Sequence, residues 1–250
     1  MAFYHGKGTG VFVDTTDLSS YFNSADFSQT LETAETTGFG STAKSYIPGL
    51  VDATVSLSGM FDGAANAVDS VLAGVLASST TPLVTIVYGT GTIGNKVYTG
   101  RAHETSYSIS SPVADVVSVS ADFNASTDST ANQTYGMSDG VVLSTGASIA
   151  FGALGNLTSV DNAASSASGG MGVLHATVNT ITGGTTTIKI QHSSDNSTFA
   201  DLITFTAVSA STTAKQLSAV SGTVNRYVRA TASTAGTAGA ITFTVSFSRF

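Results

Sequence analysis

The sequence predicts a mainly β protein: an N-terminal β-sandwich or barrel carrying one α-helix, followed by a C-terminal antiparallel Ig-like β-sandwich. Three observations predict it. Apolar and small polar residues alternate with period two over residues 51–61 and 117–124. A single stretch, 63–78, has helical spacing. Beyond residue 140, short strand-like runs recur between clusters of Gly, Ser, Thr and Asn. Length agrees, since 250 residues suit two modest domains or one large β domain at roughly 150 residues per domain.

In GLVDATVSLSGMF, Val51, Ala53, Val55, Leu57 and Phe61 form an apolar face and Asp52, Thr54, Ser56 and Ser58 a polar one, the pattern of a half-buried strand. GAANAVDSVLAGVLAS puts Ala64, Val68, Val71, Leu72, Val75 and Leu76 on one helical face, with Asp62 as cap and Pro82 beyond the end. PLVTIVYG reads as a buried strand, and NKVYTGRAHETSYSIS continues extended. In ADVVSVSADFN, Val117, Val119, Ala121 and Phe123 oppose Ser118, Ser120, Asp122 and Asn124.

Between the buried strand and its successor lies YGTGTIGN, whose Gly89, Gly91 and Gly94 have the GxGxxG spacing of dinucleotide sites. That fingerprint needs a helix to start at the glycines, so that amides and dipole meet the pyrophosphate. Strand-pattern residues follow instead. The prediction is a glycine-containing hairpin turn and no cofactor.

The polar stretch NASTDSTANQTYGMSDG, residues 124–140, interrupts the apolar periodicity and places a boundary between a domain over 1–140 and a second over 141–250. Strand-like runs follow at MGVLHATVNT, TTTIKIQ, DLITFTAV, NRYVRATAST and AITFTVSFSRF. In the last, Ile241, Phe243, Val245 and Phe247 alternate with Thr242, Thr244, Ser246 and Ser248. No fixed-period repeat is present.

Net charge is −7, unevenly spread: residues 1–140 hold thirteen acids and four bases, residues 141–250 three acids and five bases. An acidic first half repels phosphate, which excludes tight sequence-reading of nucleic acid but suits a surface to which DNA must not stick. The chain has no cysteine, so no disulfide framework, thiolate nucleophile or cysteine metal site arises. MAFYHGKGTG lacks the layout of a signal peptide and no run of roughly 20 apolar residues exists, so the expectation is use without secretion or membrane insertion.

Chemistry-bearing constellations are missing. His5, His103, His175 and His192 show no HxxxH or HExxH spacing and read as ordinary surface or strand histidines rather than zinc ligands. His103 and Glu104 are neighbours, but neighbours on a strand point to opposite faces. No GxSxG elbow occurs, and HGKGTG lacks the spacing and hydroxyl of a phosphate loop. The N-x-S/T sequons at Asn124, Asn132, Asn156 and Asn196 matter only on a secretory route. The sequence predicts no enzyme, with no catalytic, cofactor or metal residues.

Residues 10–63, with DLSSYFN early, TLETAETTGFGSTAKSYIPGL in the middle and a strand ending SLSGMFDG, resemble the major tail tube proteins of long-tailed, non-contractile bacteriophages (siphophages). The similarity runs on through the helix, PLVTIVYG and PVADVVSVSADFN, about residues 1–130. The resemblance implies a virion structural protein, made in the host cytoplasm, whose homohexameric rings stack with other tail proteins into a hollow tail tube that conducts DNA. It also implies an extended loop that reaches a neighbouring subunit or ring. By position TLETAETTGFGSTAKSYIPGL matches that loop, with Phe39, Tyr46, Ile47 and Pro48 as its contacts; a surface loop without partner is the alternative.

In such a tube the face made by Asp52, Thr54, Ser56, Ser58, Ser118, Ser120 and Asp122, which holds no Lys or Arg, would line the lumen and let DNA slide without sequence-specific binding. From the pattern alone, without that resemblance, the reading is an ordinary solvent-facing sheet. The second half, through IKIQHSSDNSTFADLITF and NRYVRATAST, is similar to accessory β-sandwiches appended to phage structural proteins. That similarity implies a place on the tube exterior and a role in decoration, ring stabilisation or weak attachment to host-surface glycans. His192, Asp195, Asn196 and Tyr227 are candidate sugar contacts, against the reading of SSDNST as a turn. The second functional reading is a surface-binding virion protein, an adhesin or capsid decoration, acting through this half.

Overall fold

The computed structural model describes residues 5–89, 92–127 and 136–250. They form a mainly β molecule with one α-helix, and every ladder among them is antiparallel. The first half holds β1 (Gly10–Val13), β2 (Thr16–Asp17), β3 (Phe22–Glu35), β4 (Tyr46–Met60), α1 (Val68–Leu76), β5 (Leu83–Val87), β6 (Lys96–Ser110) and β7 (Ser118–Ala125).

The long strand β6 is the hinge of this architecture. Its first part pairs with β5, from Val87↔Val97 to Leu83↔Arg101, and its second part with β7, from Ala102↔Ala125 to Ser110↔Ser118. β7 pairs with β4 and β4 with β3, so β3–β4–β7–β6 make a four-stranded wall. β5 pairs onward to β1 and β1 to β2, giving a second layer. Val55, Leu57, Val119, Ala121 and Phe123 of the wall pack against Val11, Val13, Val84 and Ile86 of that layer and against Val68 and Leu72 of α1. Alternation puts these apolar residues on one face of the wall and leaves the other face open.

Two expectations change here. The helix begins at Val68 rather than near residue 64, because Asp62 serves the turn before it: its carboxylate accepts from the Ala64 amide and its carbonyl from the Asp69 amide, while Ala67 takes the N-cap position without a side-chain bond. Val51 is exposed rather than buried, because β7 ends its pairing with β4 at Thr54↔Asn124 and the body of the domain ends with it.

The second half comprises β8 (Ser138–Ala150), β9 (Val160–Asp161), β10 (Gly170–Asn179), β11 (Thr185–Ser193), β12 (Ala200–Thr204), β13 (Val208–Ser209), β14 (Ala214–Val220), β15 (Tyr227–Thr234) and β16 (Ala240–Arg249). One layer runs β14–β10–β16–β8 and the other β12–β11–β15–β9, with β13 beside β11. Between them lies a core that includes Leu174, Ile188, Ile190, Val228, Phe243, Val245 and Phe247. The five strand-like runs read from the sequence all form strands, DLITFTAV holding β12 and the start of β13, and β8, β9 and β14 join them.

β8 also pairs with β6, from Lys96↔Val141 to Thr99↔Ser138, so one sheet runs through both halves; each half has a main core, and two smaller clusters, Phe12 with Val87, Val97 and Val142 and Leu83 with Met171 and Val173, join them. Residues 128–135 of the polar stretch, with the sequon at Asn132, lie outside the described residues. Because the first half covers the back of β10 and β16, the hydroxyls of Thr244, Ser246 and Ser248 are buried as well as the apolar residues they alternate with. Small hydroxyl residues let two sheets approach where larger ones would hold them apart.

Candidate functional site: a polar wall and a projecting arm

The open face of the wall is built by period-two alternation on four strands. Along β4, Thr54, Ser56 and Ser58 are exposed while Ala53, Val55 and Leu57 are buried; along β7, Ser118 and Asp122 are exposed and Ser120 half-buried. Register sets Ser56 opposite Asp122 and Ser58 opposite Ser120. Asp52 continues the row beyond the end of β7, opposite Thr30 of β3. Six of the seven predicted residues thus share the wall, and the seventh stands at its rim.

The flanking strands extend the same chemistry. Ser24, Asp26 and Ser28 of β3 lie opposite Ser58, Ser56 and Thr54, and Ser106, Ser108 and Ser110 of β6 lie opposite Asp122, Ser120 and Ser118. Sequence reading missed these residues, although NSADFS and SYSIS carry the alternation that marks them. A bulge between Glu104 and Ser106 moves the β6 serines onto the open face. Asp122 accepts hydrogen bonds of 2.7 Å from both Ser56 Oγ and Ser106 Oγ, which hold its carboxyl below the usual carboxylate range. Ser108 and Ser120 share a hydroxyl contact of 2.8 Å. The result is a fixed, ionised carboxylate set among hydroxyls, and neither β3, β4, β7 nor residues 102–110 of β6 carry a Lys or Arg.

The segment expected as an extended loop is an ordered β-hairpin arm. The β3–β4 ladder continues past the wall from Leu31↔Val51 to Glu35↔Tyr46, and only residues 36–45 form the tip. The Thr36 amide donates to Ser45 O at 2.8 Å and Lys44 pairs with Glu35 at 3.0 Å. Pro48 is tolerated beside an irregularity in the ladder and on an edge β7 no longer covers. Every residue from Ser28 to Asp52 is exposed, so the arm stands off the body on both faces. At about 3.3 Å per residue its reach is roughly 25 Å. Phe39, Tyr46, Ile47 and Pro48 all lie on it, Phe39 fully exposed at the tip, and Leu31, Leu50 and Val51 add further exposed apolar side chains.

Other candidates have partners within the fold. YGTGTIGN joins β5 to β6 as a hairpin, with Gly89 at φ 72° and Gly94 at φ 92°, the left-handed conformations glycine accepts without strain; Gly91 lies outside the described residues. Asp195 accepts from the Ser197 and Thr198 amides and from Ser193 Oγ, so SSDNST is a turn capped by its own carboxylate, which is held down to about 2. Asn196 Oδ1 accepts from Ser159 Oγ, His192 Nδ1 accepts from the Asn225 amide, and Tyr227 lies beneath the Arg226 guanidinium. His5 accepts from the Lys7 amide and His103 meets the Thr81 hydroxyl. Among the described residues no group of three or more His, Cys, Asp or Glu is placed to hold a metal ion, and no helix is long and apolar enough to cross a membrane. A cleft of about 590 Å³ opens between the start of β3 and the N-terminal segment, lined in part by Lys7, Phe22, Ser24, Asp26 and Tyr88.

His175 is a strand histidine, as expected, on β10, both of whose faces are covered. It is fully buried between the halves, stacked on Phe12 at 5.8 Å between ring centroids. The Asp14 carbonyl can only accept, so His175 Nδ1 carries the proton toward it at 2.5 Å. Nε2 then accepts from Thr85 Oγ1 at 2.7 Å, and Thr85 in turn meets Thr99 Oγ1 at 2.6 Å. Asp14 also pairs with Lys215. Burial pushes the imidazole down to about 4.

No family model and no curated protein matches the chain. Among solved structures it is similar to a chain in the virion of a native gene transfer agent particle, at 16% identity and a TM-score of 0.41 over 50% of this chain and 95% of that chain. A chain from the tail of an empty gene transfer agent particle, determined with C6 symmetry, matches at 15% identity and 0.40 over 50% and 95%. The SPP1 Dit protein, described as a paradigm of the hub adsorption apparatus in phages infecting Gram-positive hosts, matches at 14% identity and 0.33 over 97% and 99%. The wall and the arm are features of this chain's own sequence and stand without those overlaps.

Proposed function

We propose that this chain is a virion structural protein, the subunit of a phage tail tube. Homohexameric rings of it stack, with other tail proteins at the ends, into a hollow duct through which DNA passes. The observation that carries the reading is the wall: a sheet face of hydroxyls with Asp26, Asp52 and Asp122, on strands that carry no Lys or Arg along it, backed on its other face by a packed core and α1. Cations on such a face would neutralise phosphates and hold DNA by counterion release; carboxylates keep it at a distance.

Two further features favour assembly. The wall ends in unpaired strand edges, β3 on one side and β6 beyond Ala102 on the other among the described residues. Long free edges invite pairing, and closing copies edge to edge into a ring satisfies them. The arm is a two-stranded ribbon with apolar side chains and no cover on either face, a form only marginally stable in water by itself. A neighbouring subunit supplies the cover, through Phe39, Tyr46, Ile47 and Pro48. In this arrangement residues 141–250 form an accessory unit on the tube exterior, away from the acidic lumen.

The test is electron microscopy of concentrated protein, with and without material that nucleates assembly. Hollow rings or tubes with sixfold averages support the reading. Isolated particles under all conditions refute it and turn attention to glycan binding by residues 141–250.

A further inference from the structure

We infer that the β6–β7 turn, residues 111–117, is the seat for the arm of a second copy of this chain, so that copies add head to tail along the wall strands. This contact deepens the tube reading, on which it rests. The turn lies at the end of the wall where β4 finishes, since Met60 and Ser110 both stand opposite Ser118. The arm leaves from the opposite end, beyond Thr54↔Asn124. If rings close through the β3 and β6 edges, the wall strands run along the tube, and these two ends face the rings above and below.

Both ends are apolar and uncovered. Val113 and Val116 of the turn are 108% and 62% exposed, with Met60 and Ile109 half-exposed at its base; on the arm, Phe39 and Leu50 are 113% and 78% exposed. Fully exposed large side chains of roughly 150–200 Å² each give one such contact on the order of 1,000 Å² of apolar surface, near the lower limit of specific interfaces and repeated at every subunit of a ring. Patches at opposite ends of one molecule make a heterologous contact, which propagates as a filament; an arm meeting another arm would stop at a closed pair.

The native chain has no cysteine, so a Phe39→Cys, Val113→Cys double variant carries the two thiols alone. Oxidised tubes separated under denaturing, non-reducing conditions should give a ladder of linked chains longer than one ring contains. Intact tubes without a ladder overturn the assignment, as does a ladder formed only by Phe39→Cys with Ser24→Cys in the cleft at the same end. The second variant, Val113→Asp with Val116→Asp, should leave single rings with unchanged thermal unfolding and no tubes. Normal tubes, or folded monomers that fail to form rings, overturn the seat; unmodified protein that forms neither rings nor tubes refutes the tube reading itself.

Discussion

Asp122 shows how a single residue can set the character of the wall. Its carboxyl is kept ionised by Ser56 and Ser106, so its charge is fixed in place. Asp52→Lys with Asp122→Lys should leave subunit stability within about 0.5 kcal/mol, as surface changes usually do; on the tube proposal it should also make the lumen retain DNA that the unmodified wall lets pass. Genome delivery by particles carrying the variant, and salt-dependent DNA binding by the tubes, measure it; unchanged delivery removes these residues from the lumen. On the covered face, Glu104 lies near Tyr107 and α1, where burial pushes its carboxyl up to about 8. A raised folded-state value makes its stabilising, neutral form fully present below about 4.5 and progressively lost as pH rises through 8. Glu104→Gln should therefore raise the melting temperature at pH 8 and change it little near pH 4.5, as melts across that range will show. Asp122 was legible because alternation assigns its face. Glu104 was not, since the bulge after it shows only in the pairing with β7 and the helix above it comes from elsewhere in the chain.

The arm is the element whose form was hidden from the sequence while its place was not. TLETAETTGFGSTAKSYIPGL was readable as a reaching segment by resemblance, but its ladder leaves no trace in hydropathy, because neither face is buried and period-two alternation has nothing to mark. The half-buried part of β4 was legible for the opposite reason, and stops being so at Ala53, where the core stops. Since the arm packs on nothing in its own subunit, Ile47→Ser with Leu50→Ser should alter subunit unfolding by no more than about 0.5 kcal/mol. The same pair should abolish or sharply weaken assembly. Sedimentation of the variant beside the unmodified chain, with a thermal melt of each, separates the two effects; a lowered melting temperature at unchanged assembly would assign the arm to folding instead.

At the scale of the whole molecule, the two halves have their own main cores but share a sheet through β6 and β8 and a polar cluster of buried His175, Thr85 and Thr99 with half-buried Asp14 and Lys215. Calorimetry should give one cooperative unfolding transition rather than two. His175, depressed from 6.5 to about 4, contributes stability fully present above 6.5 and lost as pH falls through 4, with Lys215, Asp14 and Asp17 the charged groups around it. His175→Gln should flatten that acid limb and cost about 1–3 kcal/mol at pH 7 through polar groups left unpaired. The sharing was illegible because β8 begins inside the polar stretch and its partners β6 and β16 lie far off along the chain, whereas the five second-half strands that show local apolar runs were read directly. Order of synthesis gives this layout a further meaning. β16, the last of the described strands to leave the ribosome, sits in the middle of its layer, between β10 and β8. Until it arrives those two strands keep open edges and the hydrophobic interior of the second half stays unsealed. A chain terminated before β16 thus cannot close this layer of the second half.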